Sequence, residues 1–338
     1  MSTYGIAVIG TGYIGGEHIR AIAAHEQARL QVICSTERSR DTALSLMQAH
    51  GAARVTTSYA DVLADPQVDV VYLCTPNSAH RDQAAAALQA GKHVFVEKPL
   101  AVTVPGCRHI VEVACASQRQ VMVGHGARFS RIFVAIHKLV QDGTLGDACY
   151  VEGDYVHDLG PFLDLPGHDW WMDVDNEGQL PIIGGACHPL DLMRWIAGEI
   201  VEVSAYGARR NIPQAPWYDT IISSVKFASG AVGKCLVSCG AKAPYAMNLS
   251  YYGTKGSVLN DKLFIDGIPH VEQFMALPID IPPEDHTCAE ELEHFLHCLD
   301  TGETPLIDAT DGARSVAVCC AVAESIESGQ PVAVQLEF

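Results

Sequence analysis

The chain has 338 residues, a length that allows two domains, and 48% of them are hydrophobic. Its 22 lysines and arginines stand against 40 aspartates and glutamates, which gives a net charge of −18. That charge repels nucleic-acid phosphates and anionic membrane surfaces, so neither is expected as a partner. The sequence shows no secretory signal segment and no apolar run that could cross a bilayer. Twelve scattered cysteines without a C-x-x-C pair indicate reduced thiols in a cytoplasmic protein.

The chain opens with an apolar, β-rich run that leads through a glycine-rich turn into a helical pattern. The turn reads Gly10-Thr11-Gly12-Tyr13-Ile14-Gly15. Without a Cβ, Gly10 can form the tight turn, Gly12 lets a pyrophosphate approach the backbone, and Gly15 allows close packing of helix on strand. The free N–H groups of the helix N-terminus then favour phosphate. A G-x-G-x-x-G between a strand and a helix predicts dinucleotide binding, and the alternative is a tight turn alone.

The end of the second predicted strand, Leu30 to Cys34, bears on the choice of cofactor. An acid at this point would accept hydrogen bonds from both ribose hydroxyls and favour NAD. This sequence has Ser35 and Thr36 there, with Arg38 close behind. Small hydroxyls and a nearby arginine suit a 2′-phosphate, so the sequence favours NADP over NAD. The alternative is that Glu37 takes the acidic role.

The pattern of strand, helix and strand then repeats. An apolar run ends at Cys74, a helix-forming stretch follows to Ala90, and the apolar run 94–96 leads into charged residues. Such alternation predicts a parallel sheet whose loops converge at the carboxyl ends of the strands. The predicted cofactor contacts in these loops are Cys74, Thr75, Pro76, Asn77, His80, Glu97 and Lys98. Cis peptides belong almost entirely to X-Pro bonds, so the bond between Lys98 and Pro99 is a candidate.

Several segments together strongly resemble the Gfo/Idh/MocA family, the group of glucose-fructose oxidoreductase and inositol dehydrogenase. They are the glycine turn, "CTPNSAH" at 74–80, "AGKHVFVEKPLA" at 90–101, "GHGARF" at 124–129, "LVQDGTLGD" at 139–147, "GGACHPLDLMRW" at 184–195 and the tail from 290 to 334. The resemblance spans nearly the whole chain. Its Glu-Lys-Pro segment after a strand is much more specific than the glycine turn.

The resemblance implies an α/β protein with a Rossmann NAD(P)-binding domain, residues 1–124. It also implies a C-terminal α+β domain, residues 125–338, with a large, mostly antiparallel open sheet. In the family this sheet commonly forms the oligomer interface, which implies a homodimer or homotetramer. The local patterns agree: 148–156 and 201–208 predict strands, 220–239 a hairpin turning at Ser229-Gly230, and 290–299 and 311–328 helices.

Oxidation of a secondary alcohol needs a base near neutrality and a cation beside the oxygen. Lys98 and His188 could supply these functions, because lysine is a compact charge and histidine titrates near neutral pH. In the resembling enzymes the matched lysine polarises the substrate oxygen and touches the cofactor, and the matched histidine exchanges the proton. The alternatives are a salt bridge between Lys98 and Glu97, and a structural role for His188.

One position departs from the family pattern. Family members often have an Asp four residues before the histidine, where this chain has Gly184. Asp191 lies three residues after His188, within about one helical turn, and could orient the imidazole or brace the helix. The departure leaves open how the proton is relayed.

The segment from Tyr155 to Asp173 is rich in histidine, aspartate and tryptophan. It contains no H-x-x-x-H pair and no cysteine set, so no metal site is expected there. His157 and Trp170 are predicted substrate contacts, since hydroxyls are held by hydrogen bonds and sugar C–H faces stack on indoles. The alternative for the tryptophans is packing at the domain junction. Arg128 is a predicted substrate contact and His125 a predicted cofactor contact, with a salt bridge between the domains as the other role for Arg128.

The leading hypothesis is an NAD(P)-dependent oxidoreductase acting on a secondary alcohol of a sugar, sugar derivative or cyclitol. One alternative is a redox-neutral enzyme that uses bound NAD to oxidise and re-reduce a sugar during glycosidic cleavage. The other is a non-catalytic nucleotide-binding sensor on the same fold. Retention of Lys98 and His188 argues against the sensor, whereas Gly184 leaves it open.

Overall fold

The computed structural model describes residues 3–267, 273–277 and 287–338. The strands within these ranges are β1 (Tyr4–Ile9), β2 (Ala28–Cys34), β3 (Arg54–Thr56), β4 (Val70–Leu73), β5 (His93–Glu97), β6 (Val121–Gly124), β7 (Ala148–Val156), β8 (Ile200–Ala208), β9 (Thr220–Phe227), β10 (Val232–Ser238), β11 (Ala246–Gly253), β12 (Gly256–Leu259), β13 (Lys262–Ile265), β14 (Met275–Ala276) and β15 (Val332–Ala333). The α-helices are α1 (Tyr13–Ala24), α2 (Arg40–His50), α3 (Tyr59–Leu63), α4 (His80–Gln89), α5 (Val104–Ser117), α6 (Arg131–Gln141), α7 (Val174–Glu177), α8 (Cys187–Ala197), α9 (Cys288–Thr301) and α10 (Ala309–Ser328). No helix of this described part has the length and apolar character that a membrane crossing requires.

These elements form two compact units. The first unit holds the described residues up to Gly126, those from 287 to Ala313, and Phe338. The second unit holds the described residues from Ala127 to 277 and from Arg314 to Glu337.

Helix α9 shows where the structure differs from the expected division of the chain. The sequence places everything after residue 124 in the second domain, whereas α9 belongs to the first unit. The physical reason is its packing: the ring of Phe295 lies 6.3 Å from that of Phe95 on β5. At the end of the helix, the hydroxyl of Tyr4 donates to Asp300 over 2.9 Å.

The sheet of the first unit consists, among the described residues, of six parallel strands in the order β3-β2-β1-β4-β5-β6. The direction of winding reverses between β1 and β4, which is the switch point of a Rossmann fold. Its strands read as continuous apolar runs because helices cover both faces, and all four residues of β4 are buried. The predicted Rossmann architecture is confirmed.

The sheet of the second unit has nine described strands in the order β14-β13-β12-β11-β7-β10-β9-β8-β15. One neighbouring pair, β7 with β10, is parallel, and the other pairs are antiparallel. The predicted hairpin is β9 with β10, and Gly230 in its turn has φ +91°. The predicted large, mostly antiparallel sheet is therefore confirmed.

Strand β7 shows how this sheet positions a helix. Its residues alternate along the strand, with Val151, Gly153 and Tyr155 buried. A Cβ on Gly153 would lie 2.8 Å from Pro189 and 2.9 Å from Met193 of α8. Helix α8 thus packs closely on the buried face of β7, because position 153 has no side chain.

In the first unit, the loop that follows β5 ends at a capped helix. Thr103 precedes α5 with extended backbone, and its hydroxyl oxygen accepts the N–H of Gly106 over 3.2 Å. A hydroxyl at this position satisfies one of the free donors of the first helical turn. The cap therefore fixes the far end of the loop that begins at Lys98.

We expect Thr103→Ala to lower the free energy of unfolding by about 1 kcal/mol, because the helix loses its side-chain cap. Thr103→Ser keeps the oxygen and is the matched control. Urea unfolding followed by circular dichroism measures both. Equal stabilities of the two variants would contradict a capping role.

Candidate functional site

The glycine turn lies at the switch point of the first sheet. Gly10 has φ +104°, and a Cβ there would overlap the carbonyl oxygen of Cys74. A Cβ on Gly15 would overlap the carbonyl oxygen of Gly10. A Cβ on Gly12 would meet no heavy atom within 4 Å. The first and third glycines therefore serve the close packing of the fold, whereas the second leaves open space beside the start of α1.

That open space fits a dinucleotide phosphate. Gly12 precedes α1 and offers no side-chain acceptor to the N–H groups of the first turn. Helix N-termini bind phosphate through such N–H groups and through the helix dipole. Gly12, Tyr13 and Ile14 are thus placed to hold a pyrophosphate.

The end of β2 carries hydroxyl groups and one carboxylate. The Ser35 hydroxyl donates to the carbonyl of Thr36 over 3.2 Å, and the hydroxyl of Thr36 lies 2.9 Å from that of Ser39. Glu37 accepts a hydrogen bond of 2.7 Å from the Thr57 hydroxyl. Arg38 is exposed on the same turn. The end of β2 therefore carries both the hydroxyls that would suit a 2′-phosphate and the acid Glu37, which could bind ribose hydroxyls.

His80 joins the loops that follow β4 and β5. Its Nδ1 lies 2.8 Å from the carbonyl oxygen of Pro99, and its Nε2 lies 3.0 Å from that of Thr75. The imidazole is fully buried at the start of α4. The Thr75 hydroxyl donates to Gln83 over 2.6 Å, and Asn77 is buried in the same turn. His80 is thus a bridge between two loops of the predicted cofactor site.

Glu97 and Lys98 are linked through the backbone. The Glu97 carboxylate accepts the N–H of Lys98 over 3.2 Å, and its other oxygen lies 2.8 Å from Nε2 of His18. Burial opposes ionisation of Glu97, but the hydrogen bond and charge of His18, with the charges of Lys98 and His80, lower its pKa below the usual value. The peptide bond between Lys98 and Pro99 is cis. A buried, ionised Glu97 therefore holds the backbone from which Lys98 projects.

Three buried groups, His18, Cys288 and Glu291, lie close together on the side of Glu97. The Sγ of Cys288 lies 4.0 Å from Nε2 of His18, and the ligand atoms of His18, Cys288 and Glu291 all lie within 4.8 Å of one another. Burial, with the charges of Glu97 and Glu290, raises the pKa of Glu291 well above its usual value. The environment of Glu291 therefore favours its protonated form, whereas that of Glu97 favours the ionised form. In the described ranges, the possible metal ligands that lie close together are His18, Cys288 and Glu291. None of them belongs to the histidine-rich segment from 155 to 173.

In the second unit, His188 lies at the start of α8 and is partly exposed. A π-helical turn from Pro181 to Ala186, which contains Gly184, leads directly into that helix. Such turns are rare and are frequent at functional sites. The ring of Tyr155 stacks on that of His188 at 5.6 Å and 10°. The imidazole thus lies flat against an aromatic ring of β7.

Arg128 and Asp191 contact each other. The guanidinium donates from Nε and Nη2 to the two carboxylate oxygens of Asp191 over 2.8 and 2.7 Å, and both residues are buried. The Ser315 hydroxyl also donates to Asp191, over 2.7 Å. Bidentate pairs of this kind fix geometry. These bonds favour the bracing role of Asp191 and a structural ion pair of Arg128 that lies inside the second unit.

The other predicted site residues lie as follows. His157 follows β7 and accepts or donates a 3.1 Å hydrogen bond with the Tyr155 hydroxyl. Trp170 is half-buried and edge-on to Trp171, whose carbonyl oxygen accepts from the indole of Trp217 over 2.9 Å. His125 is buried directly after β6.

The predicted residues therefore form two sets. The cofactor set and Lys98 lie in the first unit, and His188, His157, Trp170, Arg128 and Asp191 lie in the second. The sequence did not indicate His18, Glu291, Tyr155 or Tyr245. His18 had one signal, since it shares the buried face of α1 with Gly15 and Ile22.

Comparison with known proteins identifies two family regions. Residues 4–125 match the oxidoreductase family with an NAD-binding Rossmann fold, and residues 133–259 match the GFO/IDH/MocA C-terminal domain. The chain is 26% identical to scyllo-inositol 2-dehydrogenase (NAD(+)) of Bacillus subtilis, over 98% of this chain and 96% of the relative. It is 29% identical to inositol 2-dehydrogenase 3 of Saccharopolyspora erythraea, over 99% and 96%.

The fold also matches a solved structure. Levoglucosan dehydrogenase, in a complex with NADH and levoglucosan, superposes with a TM-score of 0.91 at 23% identity, covering 99% of this chain and 100% of that one. At this level of identity the likeness shows the fold alone.

We expect Gly12→Ala to fold normally but to weaken NADH binding by on the order of 10-fold or more, because its Cβ projects into the space for the phosphates. Gly10→Ala should instead destabilise the fold, since its φ is +104° and its Cβ overlaps Cys74. Fluorescence titration with NADH and thermal unfolding separate the two effects. Unchanged NADH affinity of folded Gly12→Ala would contradict this assignment.

Proposed function

We propose a function from one premise: the chain belongs to the Gfo/Idh/MocA family of oxidoreductases, with an NAD-binding Rossmann domain at residues 4–125. It is an NAD-dependent oxidoreductase acting on the CH–OH group of a small molecule. The proposed reaction is hydride transfer between the nicotinamide and a carbon bearing a secondary hydroxyl of a cyclitol, a sugar or a sugar derivative. The observation that carries it is Lys98 at the carboxyl end of β5, on a backbone held by Glu97.

The proposed roles follow from the chemistry of Lys98 and His188. The nicotinamide, when bound, takes up or returns the hydride. The ammonium of Lys98 donates a hydrogen bond to the substrate oxygen and stabilises negative charge as the hydroxyl proton leaves. The imidazole of His188 accepts that proton, since histidine exchanges protons near neutral pH. Glu97 and His80 position the loop that carries Lys98.

We propose NAD as the working cofactor, which reverses the preference drawn from the sequence alone. The first domain matches an NAD-binding family, and a relative carries NAD(+) in its name. Glu37, held by Thr57, provides an acid beside the end of β2. A carboxylate there favours ribose hydroxyls and repels a 2′-phosphate.

The proposed substrate is a polyhydroxylated ring. Tyr245 and Phe162 are 46% and 36% exposed, and both rings lie edge-on to His157, at 5.3 and 5.5 Å. Exposed aromatic rings bind the C–H faces of sugars, and the imidazole supplies a hydrogen bond to a hydroxyl. Trp170 remains a proposed contact from the neighbouring loop. Several relatives are named for inositols and another for 1,5-anhydro-D-fructose, and we choose the substrates to test from these names.

A cytoplasmic location is part of the proposal. All twelve cysteines are thiols, and most of them are buried. Free thiols suit a reducing compartment.

We expect NAD⁺ reduction with at least one of myo-inositol, scyllo-inositol and levoglucosan, or NADH oxidation with 1,5-anhydro-D-fructose. Lys98→Met and His188→Asn should each lower kcat by on the order of 10² to 10⁴-fold, because each removes a group that acts on the reacting hydroxyl. Absorbance at the reduced-nicotinamide band measures all reactions, with NAD and NADP assayed separately. Lys262→Met, an exposed lysine on β13, is the matched control.

Two results would contradict the proposal. If Lys98→Met kept wild-type activity, the proposed role of Lys98 in the reaction would be wrong. If the wild type binds NADH but shows no activity with a wide panel of alcohols and ketones, the redox-neutral enzyme or the sensor would be favoured.

We also propose that the chain forms a homo-oligomer through the outer face of the second sheet. On this face the register places Tyr206 beside Ile222, which are 78% and 44% exposed. Val232, which is 52% exposed, lies beside Tyr150. Uncovered apolar side chains on a broad sheet mark an interaction surface, and a second copy offers the same surface in return.

We expect Ile222→Lys to reduce the molar mass in solution toward that of one chain, 36.3 kDa, because it places a charge in the interface. Val134→Lys on α6 is the matched control, since Val134 is also 44% exposed. Light scattering during size-exclusion chromatography measures the mass. An unchanged oligomer in Ile222→Lys, or a wild-type monomer, would contradict this interface.

A further inference from the structure

Three rings of the second unit form a cluster beside His188. They belong to Tyr155, His157 and Tyr245. Tyr155 and His157 share a 3.1 Å hydrogen bond between the hydroxyl and Nδ1. Tyr245 is edge-on to both, at 5.8 Å from Tyr155 and 5.3 Å from His157. Each ring thus contacts the other two, and Tyr155 in turn stacks on His188.

A proton acceptor works best when neighbouring side chains fix its ring plane. Position 184, one turn before His188, is a glycine. The Asp191 carboxylate accepts hydrogen bonds from Arg128 and Ser315. Among the contacts of the imidazole is the parallel Tyr155 ring.

We propose that Tyr155 is a positioning residue for His188, fixing the plane of the imidazole by stacking on it. The inference rests on the proposed function, in which His188 accepts the substrate proton. Offset parallel stacking at 4.5–7 Å between centroids is a favoured arrangement of aromatic rings, and the observed 5.6 Å lies in that range. When the imidazole gains the proton, the ring face of Tyr155 also stabilises the cation.

Tyr155 is itself held in place on several sides. A Cβ on Gly185 would lie 3.3 Å from the Tyr155 ring, so the π-helical turn approaches the ring closely because it has a glycine there. Burial, with the neighbouring Cys239, Tyr245 and Cys187, raises the pKa of Tyr155 well above its usual value. The phenol therefore stays protonated and can donate to Nδ1 of His157. This fixed ring is the support that His188 needs.

The kinetic test compares Tyr155→Met, which fills the space without a ring, with Tyr155→Phe, which keeps the ring. A misplaced base slows proton transfer, so Tyr155→Met should lower kcat by on the order of 10- to 100-fold and increase the solvent deuterium isotope effect. The KM values for substrate and NAD should change by less than about threefold. Tyr155→Phe should retain kcat to within about threefold, with the wild-type isotope effect, because the stacked ring remains.

A glycine pair tests the same contact without removing a core side chain. Gly185→Ala places a methyl group against the Tyr155 ring, whereas Gly184→Ala places one 3.2 Å from the flexible end of Leu180. We expect Gly185→Ala to lower kcat and increase the isotope effect, and Gly184→Ala to do neither. Equal effects of the two glycine variants would overturn the proposal.

A measurement without turnover separates this proposal from the proposed function. In protein with ¹³C-labelled histidine, the signal of His188 is identified by its loss in His188→Asn. It should be narrow and shifted upfield in the wild type and in Tyr155→Phe, and should move downfield and broaden in Tyr155→Met. An unchanged His188 signal in Tyr155→Met overturns the positioning role, as does a fall of kcat in Tyr155→Phe equal to that in Tyr155→Met. Full activity of His188→Asn would instead refute the proposed role of His188, whatever the signal shows.

Discussion

The hydrogen bond between His18 and Glu97 is the contact on which the candidate site of the first unit depends. A buried carboxylate stays ionised when it is hydrogen-bonded and lies near positive charge. One oxygen of Glu97 meets His18 and the other accepts the N–H of Lys98. Without the His18 imidazole, the buried charge of Glu97 would lose its partner. We expect this loss to destabilise the loop that carries Lys98. This explains why Glu97 directly follows the buried apolar run of β5. Its carboxylate connects the end of the strand to His18 of α1.

The same carboxylate accounts for the state of its neighbours. Glu291 of α9 is buried next to it, and burial together with the charge of Glu97 raises the pKa of Glu291, since two adjacent buried carboxylates do not both ionise readily. The Thr287 hydroxyl, just before that helix, donates to the carbonyl of Gly126 over 2.7 Å. The segment of α9 thus contributes both a buried acid with a raised pKa and a hydrogen bond to the end of the first sheet. A segment distant in sequence therefore completes the Rossmann unit.

The part of the site that could be predicted is the part encoded by short segments. The glycine turn, the hairpin of β9 and β10, and the loops after β4 and β5 each follow from local composition and strand periodicity. The pairs formed between distant residues leave no local signal: His18 and Glu97 are 79 positions apart, and Arg128 and Asp191 are 63 apart. Sequence spacing suggested that Asp191 could orient His188, because both lie on one helical turn. In the structure a distant arginine and Ser315 bind that carboxylate, a competition that spacing cannot reveal.

The π-helical turn before α8 carries two adjacent glycines, Gly184 and Gly185, next to the stack of Tyr155 on His188. An aspartate at position 184 would need only a small movement of Leu180, so the fold itself does not exclude one. At position 185, by contrast, any side chain would meet the Tyr155 ring within 3.3 Å. The two glycines therefore differ in their physical roles, because only the second is required by the ring that lies flat on His188. A glycine at position 185 lets the wide turn approach the Tyr155 ring, and that ring in turn presents a parallel aromatic face to the imidazole of His188.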